Sequence, residues 1–161
     1  MPSNDSGRAV QLSILDRLTD DEPGVRTEAP ITREKSVRMM RAAVQRDLEA
    51  LLNTIRIAET VPETYTELRD SLWLYGLPDI NSISLQNQQD EERLLRGLER
   101  AIQQFEPRLS RVRVTSYDRI LKSRQIVEFH VEAMLMIEPA PERIAFDTIL
   151  EIGKGSYRVK E

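Results

Sequence analysis

Apolar residues recur at helical spacing over the first two-thirds of the chain and at every second position over the last third. Val37, Met40, Val44, Leu48, Leu51, Leu52 and Ile55 form one stripe, which predicts a long helix from about Arg33 to Arg56 with Thr32 as N-cap. Arg38, Arg41, Arg46, Asp47 and Glu49 lie mostly off that stripe. A second stripe, Leu94, Leu95, Leu98, Ile102 and Phe105, predicts a helix from near Gln89 to Phe105. Gly97 lies inside it at a cost of about 1 kcal/mol against Ala, which close approach of another backbone would explain. Between them Glu63–Glu67 opens a shorter helix with Leu68, Leu72 and Tyr75 on one face, Trp73 expected in the core and Gly76 as the stop. The polar segment after Leu77-Pro78-Asp79 offers Ile83 and Leu85 as anchors. Near the start, Val10, Ile14 and Leu18 share a face with Leu15 beside it, which predicts a short amphipathic helix over about 9–18. Alone it is marginal in water, so its apolar face should dock on this domain or on a partner. Residues 19–31, with two prolines and an acidic cluster, read as a linker, and residues 1–8 as disordered.

The period changes from 3.6 to 2 at Phe105-Glu106-Pro107-Arg108-Leu109. Proline disfavours the helical conformation for Glu106 and cannot donate a backbone hydrogen bond, so Glu106 and Arg108 flank a stiff corner. Beyond it Val112 and Val114 point inward and Arg111 and Arg113 outward. The longest strand, Ile126–Ile137, places Val127, Phe129, Val131, Ala133, Leu135 and Ile137 on one face, and Glu128, His130, Glu132, Met134 and Met136 on the other. A two-proline turn at Glu138–Pro141 leads to a strand over about Arg143–Ile152, then a turn at Gly153–Ser156 and a short strand over Tyr157–Lys160. The expected fold is α+β, with N-terminal helices packed on a three- to four-stranded, mainly antiparallel sheet. Residues 1–31 form a flexible segment carrying the short helix and linker, and 32–161 a single domain.

Composition narrows the function classes. Charged residues are 31% of the chain, yet the net charge is only -4, and no basic block marks a nucleic-acid face. Arginine outnumbers lysine by 19 to 4, which suits bidentate pairing at polar interfaces; a GC-rich genome would produce the same bias. With no cysteine and one histidine, thiolate and multi-histidine metal sites are excluded. No apolar run approaches the roughly 20 residues of a membrane helix, and the first residues lack signal-peptide character, so a cytoplasmic protein without direct membrane insertion is expected.

Candidate chemistry is sparse. Glycoside hydrolysis needs two carboxylates flanking the bond. Glu106 could be one, with Glu128, Glu132 or Asp118 as the other, but sugar-stacking aromatics are scarce. His130 sits between two glutamates without a nucleophile or metal-ligand set and reads as a solvent-facing or interface histidine. Gly153-x-Gly155 precedes a strand rather than a helix, so it is a turn and not a phosphate loop. Met134 and Met136 fit plain packing or an adaptable contact surface. No catalytic residue, cofactor or metal is expected.

Four stretches carry a resemblance: Ser13-Ile14-Leu15-Asp16-Arg17-Leu18, Val44–Thr54, Tyr75-Gly76-Leu77-Pro78-Asp79 and Phe105–Leu109. In this order and spacing they resemble the TssE family, a baseplate subunit of bacterial type VI secretion systems. That family is similar to the "lysozyme-like" wedge protein of contractile phage tails. The resemblance implies a structural role rather than hydrolysis. It implies that Glu106, Pro107 and Arg108 dock on wedge subunits TssF and TssG. It also implies that the sheet accepts strands from the first ring of sheath subunits, TssB and TssC, so starting sheath polymerisation at the cytoplasmic face of the inner membrane. Leu15 and Leu18 on the short helix are expected to provide a further protein contact. On this reading Glu106→Ala or Arg108→Ala leaves the fold intact and abolishes co-purification with wedge partners. A peptidoglycan hydrolase would instead lose cell-wall digestion on Glu106→Gln. A free-standing adaptor acting through its N-terminal helix alone would lose all binding when residues 1–30 are removed.

Overall fold

The computed structural model describes residues 9–19, 23–24, 30–57, 61–62, 64–69, 71–79, 88–117, 126–151 and 156–160. Among these, helices α1 (Ile14–Leu18), α2 (Arg33–Asn53), α3 (Thr66–Arg69) and α4 (Gln88–Phe105) precede strands β1 (Leu109–Ser116), β2 (Ile126–Leu135), β3 (Glu142–Glu151) and β4 (Ser156–Lys160). The strands form one antiparallel meander in the order β1-β2-β3-β4, so the fold is α+β as the periodicity predicts. Ile83, Leu85, Asp118, the turn at 152–155 and most of the 19–31 linker lie outside the described residues.

The alternating strand residues and the two long helical stripes meet in one core. Met40, Val44, Leu48, Leu51 and Leu52 of α2 and Leu94, Leu98 and Ile102 of α4 are buried with Val127, Phe129, Phe146 and Leu150 of the sheet. Burying each such side chain contributes roughly 1.5–3 kcal/mol. Helix α4 packs on β1 and α2 on β4. The two helices therefore cover one face of the sheet and leave the face carrying His130 and Asp147 uncovered.

Local partners move several boundaries. The first helix begins at Ile14, not near residue 9, because the Ser13 hydroxyl accepts from the Asp16 amide and caps it there. Val10 instead donates its N–H to the buried Ser36 hydroxyl at 2.8 Å, and Leu12 enters the core. Helix α2 has its Thr32 cap but ends at Asn53, so Ile55 leaves the expected stripe and is exposed. The Leu77 N–H binds Thr54 O at 2.8 Å and the Arg56 N–H binds Leu77 O at 2.9 Å, giving a short parallel bridge. Gly76 makes this possible: its φ is +103°, and a Cβ there would lie 2.3 Å from Thr54 O. The expected single helix before Gly76 is two short pieces, because Ser71 caps a separate 3₁₀ turn at Leu72–Leu74. Leu72 and Trp73 are consequently exposed rather than core. Among the described residues no backbone approaches Gly97, and a Cβ there would meet nothing within 4 Å.

Strand β1 contains a bulge between Ser110 and Arg113, with Arg111 at φ +52°. The extra residue lets Leu109 and Val112, three apart, both face the core.

Candidate functional site

The corner between α4 and β1 is built as a closed turn. The Glu106 N–H bonds Ile102 O at 2.9 Å, ending the helix, and the Leu109 N–H bonds Glu106 O at 3.0 Å, starting the strand. The Met136 N–H bonds Arg108 O at 2.8 Å, which ties the corner to the end of β2. Pro107 is exposed at the tip. Glu106 is not: it is 3% exposed. One of its oxygens accepts from the Arg108 N–H at 3.2 Å and from Arg108 Nε at 2.6 Å, and the other accepts from Nη2. Glu106 and Arg108 therefore pair with each other, side by side and bidentately.

Asp47 on α2 completes the arrangement, with Arg108 Nη2 donating to it at 2.6 Å. Arg46 grips the other Asp47 oxygen through Nε at 2.9 Å and reaches Asp16 of α1 at 2.8 Å. The Ser13 hydroxyl donates to the second Asp16 oxygen. A continuous chain of charge-assisted contacts thus runs Glu106–Arg108–Asp47–Arg46–Asp16–Ser13, across three elements. The Glu106 hydrogen bond, followed by that of Asp47, holds Arg108 more firmly protonated than a free guanidinium despite its burial. The Ser13 hydroxyl, followed by Arg46, holds Asp16 below the usual carboxylate range. Arg108 Nη1 is buried without a hydrogen-bond partner among the described residues.

Beside the corner lies a groove of about 410 Å³ lined by Ser13, Asp47, Leu51, Tyr75, Phe105, Glu106, Pro107 and Arg108. Its wall includes an edge-to-face ring pair, Tyr75 on Phe105, with centroids 5.2 Å apart. Burial, with the charges of Asp47 and Glu106 behind it, raises the Tyr75 hydroxyl above its ordinary value. The groove draws residues from all four stretches that carry the family resemblance.

The five sequence-expected binding residues divide into two places. Glu106, Pro107 and Arg108 form the corner. Leu15 and Leu18 stand on α1, where they are 65% and 78% exposed, so their apolar face is not docked on the described body of the protein. The ion-pair chain links the two places through Asp16. Sequence reasoning passed over Asp47, Arg46, Asp16 and Ser13 as functional candidates. The available signal was that each falls within a resembling stretch while lying off an apolar stripe. The pairing also alters the expected behaviour of the Ala variants, since Arg108→Ala would strand a buried carboxylate and disturb the fold.

A separate cluster lies on the uncovered sheet face. His130 Nδ1 is 2.8 Å from Asp147 and 3.1 Å from the Tyr117 hydroxyl, which donates to Asp147 at 3.0 Å. Its hydrogen bond to His130 holds Asp147 below the usual carboxylate range. Arg143 lowers Glu132 in the same way. No group of residues suited to a metal ion occurs among the described residues.

Fold and corner define a small α+β protein with a prearranged ion-pair network where the helical and sheet layers join. The chain belongs to the family of baseplate wedge protein gp25, whose family model matches residues 38–140. That match takes in Asp47, the whole corner and β2. The family is a structural one, so the chain is a baseplate component that works among other baseplate proteins. No curated protein matches the chain. Among the described residues no helix is long and apolar enough to cross a membrane.

Proposed function

We propose that the protein is the TssE-type wedge subunit of a type VI secretion system, joining the wedge to the tail sheath and helping to nucleate sheath assembly. It works without enzymatic activity, in the cytoplasm, on a baseplate at the inner membrane. The carrying observation is the corner network. Residues from four separated stretches converge on one exposed proline and one partly exposed arginine. Such a corner loses little conformational freedom on docking, because Glu106 and Asp47 already hold Arg108 in place.

In this role Glu106 acts from inside, positioning Arg108, while Pro107 and Arg108 meet the wedge partners TssF and TssG. Leu15 and Leu18 supply a second, apolar contact, held in register with the first through Asp16 and Arg46. The hydrolase reading is disfavoured because both Glu106 oxygens are engaged by Arg108 and the side chain is buried, whereas a general acid needs access to substrate. Sheath subunits TssB and TssC are the partners of the sheet.

The test is co-purification with TssF–TssG of wild type and of a Leu15→Asp/Leu18→Asp variant, whose substitutions fall on exposed positions. Loss of the complex with an unchanged melting temperature supports the second contact. Full retention of the complex removes α1 from the interface.

A further inference from the structure

The N-terminal arm, residues 9–18, is held on the body at three points of different kinds. The Val10 N–H reaches the Ser36 hydroxyl at 2.8 Å, Leu12 is buried in the core, and Asp16 accepts from Arg46 Nη1 at 2.8 Å. Of these the third is ionic, and it lands on a residue that also holds Asp47. Arg46 places Nε at 2.9 Å and Nη2 at 2.8 Å from Asp47 Oδ1, while Arg108 Nη2 donates to Asp47 Oδ2 at 2.6 Å. Arg46 is therefore shared by two carboxylates on different elements, and Asp47 by two guanidiniums.

Sharing sets the sign of the coupling between arm and corner. With Asp16 in place, part of the Arg46 charge is turned away from Asp47, so Asp47 answers Arg108 more strongly. When Asp16 leaves, Arg46 turns wholly to Asp47 and competes with Arg108 for it. The Ser13 hydroxyl, then Arg46 and lastly the charge of Arg108 lower the Asp16 carboxyl, so the arm and Arg108 also attract each other directly. Packing acts in the same direction. Leu12, Ser13 and Arg17 of the arm line a cavity of about 890 Å³ together with Arg108, Met40 and Met136. Departure of the arm would admit water to Arg108 and weaken its ion pair with Glu106.

We propose that the arm is a positioning element for Arg108, acting through Arg46 and Asp47: its attachment sets Arg108 firmly on Glu106, and its release loosens it. By linkage the converse holds, and whatever fixes Arg108 tightens the arm. Arg108 is thus fully prearranged only while the arm is attached. What this means for docking rests on the corner role proposed above; the coupling itself belongs to the unassembled chain.

Nitrogen-edited NMR of the full chain reads both ends. The Arg108 Hε proton, donated to Glu106 with Nε at 2.6 Å, reports the corner through its exchange with water, and the Val10 amide, bound to Ser36, reports the arm. Asp16→Asn keeps an acceptor for Ser13 but removes the charge, and should speed Arg108 Hε exchange about fivefold, the lower end of usual coupling between sites. Leu12→Ser detaches the arm without touching a charge and should loosen Arg108 in the same way. Asp47→Asn should speed Val10 amide exchange, also about fivefold. In an Arg46→Gln background the relay is absent, so adding Asp16→Asn should change Arg108 exchange by less than about twofold. The Leu109 amide, which closes the turn on Glu106 O, should stay at its wild-type rate throughout. Wild-type Arg108 exchange in both Asp16→Asn and Leu12→Ser overturns the proposal, as does an unmoved Val10 amide in Asp47→Asn. A full Asp16→Asn effect in the Arg46→Gln background overturns the relay. A Leu109 amide that speeds up together with Arg108 Hε overturns it as well, because the corner is then unfolding rather than losing the setting of one side chain. Each of these results leaves corner docking standing; that role fails separately, by wild-type affinity of a corner variant for TssF–TssG.

Discussion

Arg108 is the residue on which the corner depends, because its charge answers two carboxylates and its backbone holds two elements. Glu106 is buried, so Arg108→Ala leaves an ionised group without its partner, at a cost of about 3 kcal/mol. Urea unfolding should show a lowered midpoint with an unchanged slope. Asp47→Asn keeps an acceptor for Arg108 in place and should cost about 1 kcal/mol. Asp16 ties the N-terminal segment to this network in a pH-dependent way. Its folded-state pKa lies below the ordinary 3.8, so its contribution is complete above that value and is lost as the pH falls below it. Amide signals of Leu12 and Asp16, followed by NMR, should report release of the segment below pH 3.8 and secure attachment at pH 6. Gly76 is a residue of a different kind, fixed by its backbone. Gly76→Ala meets both a positive φ and the Thr54 carbonyl, and should destabilise by more than about 1 kcal/mol in the same unfolding assay.

At the scale of elements, periodicity reveals what is buried broadly and hides what is decided by one hydrogen bond. The stripes of α2 and α4 and the alternation in β2 and β3 are readable because each buries a whole face, and tertiary packing agrees with local pattern. The start of α1 is not readable from apolar spacing. Val10 has the right spacing for a helix, yet its N–H serves Ser36, 26 positions away. Trp73 and Leu72 miss the core because the Ser71 cap breaks the expected helix. Of the site, Glu106, Pro107 and Arg108 are legible from the change of period and the family resemblance. Asp47 is not, since a polar residue off a helix stripe looks the same whether it faces water or Arg108. Helix α4 also carries an unforced cost. A Cβ at Gly97 would meet nothing within 4 Å among the described residues, so Gly97→Ala should stabilise the protein by about 1 kcal/mol, seen as a rise of a few degrees in melting temperature.

At the scale of the whole molecule, two layers meet at one corner, and the N-terminal helix is fastened to that corner by ion pairs rather than by its apolar face. Its leucines, Leu15 and Leu18, therefore remain exposed. On the proposed role, the charged tip and the apolar helix, linked by ion pairs through Asp16, Arg46 and Asp47, form the two contacts for a wedge partner. The most direct test of corner docking is calorimetric titration of TssF–TssG with wild type and Pro107→Asp. Pro107 is exposed and lacks an N–H to lose, so the substitution places a charge on the docking tip without disturbing Glu106 and Arg108. The account predicts a melting temperature within a few degrees of wild type and loss of measurable binding. Wild-type affinity in that variant would contradict it.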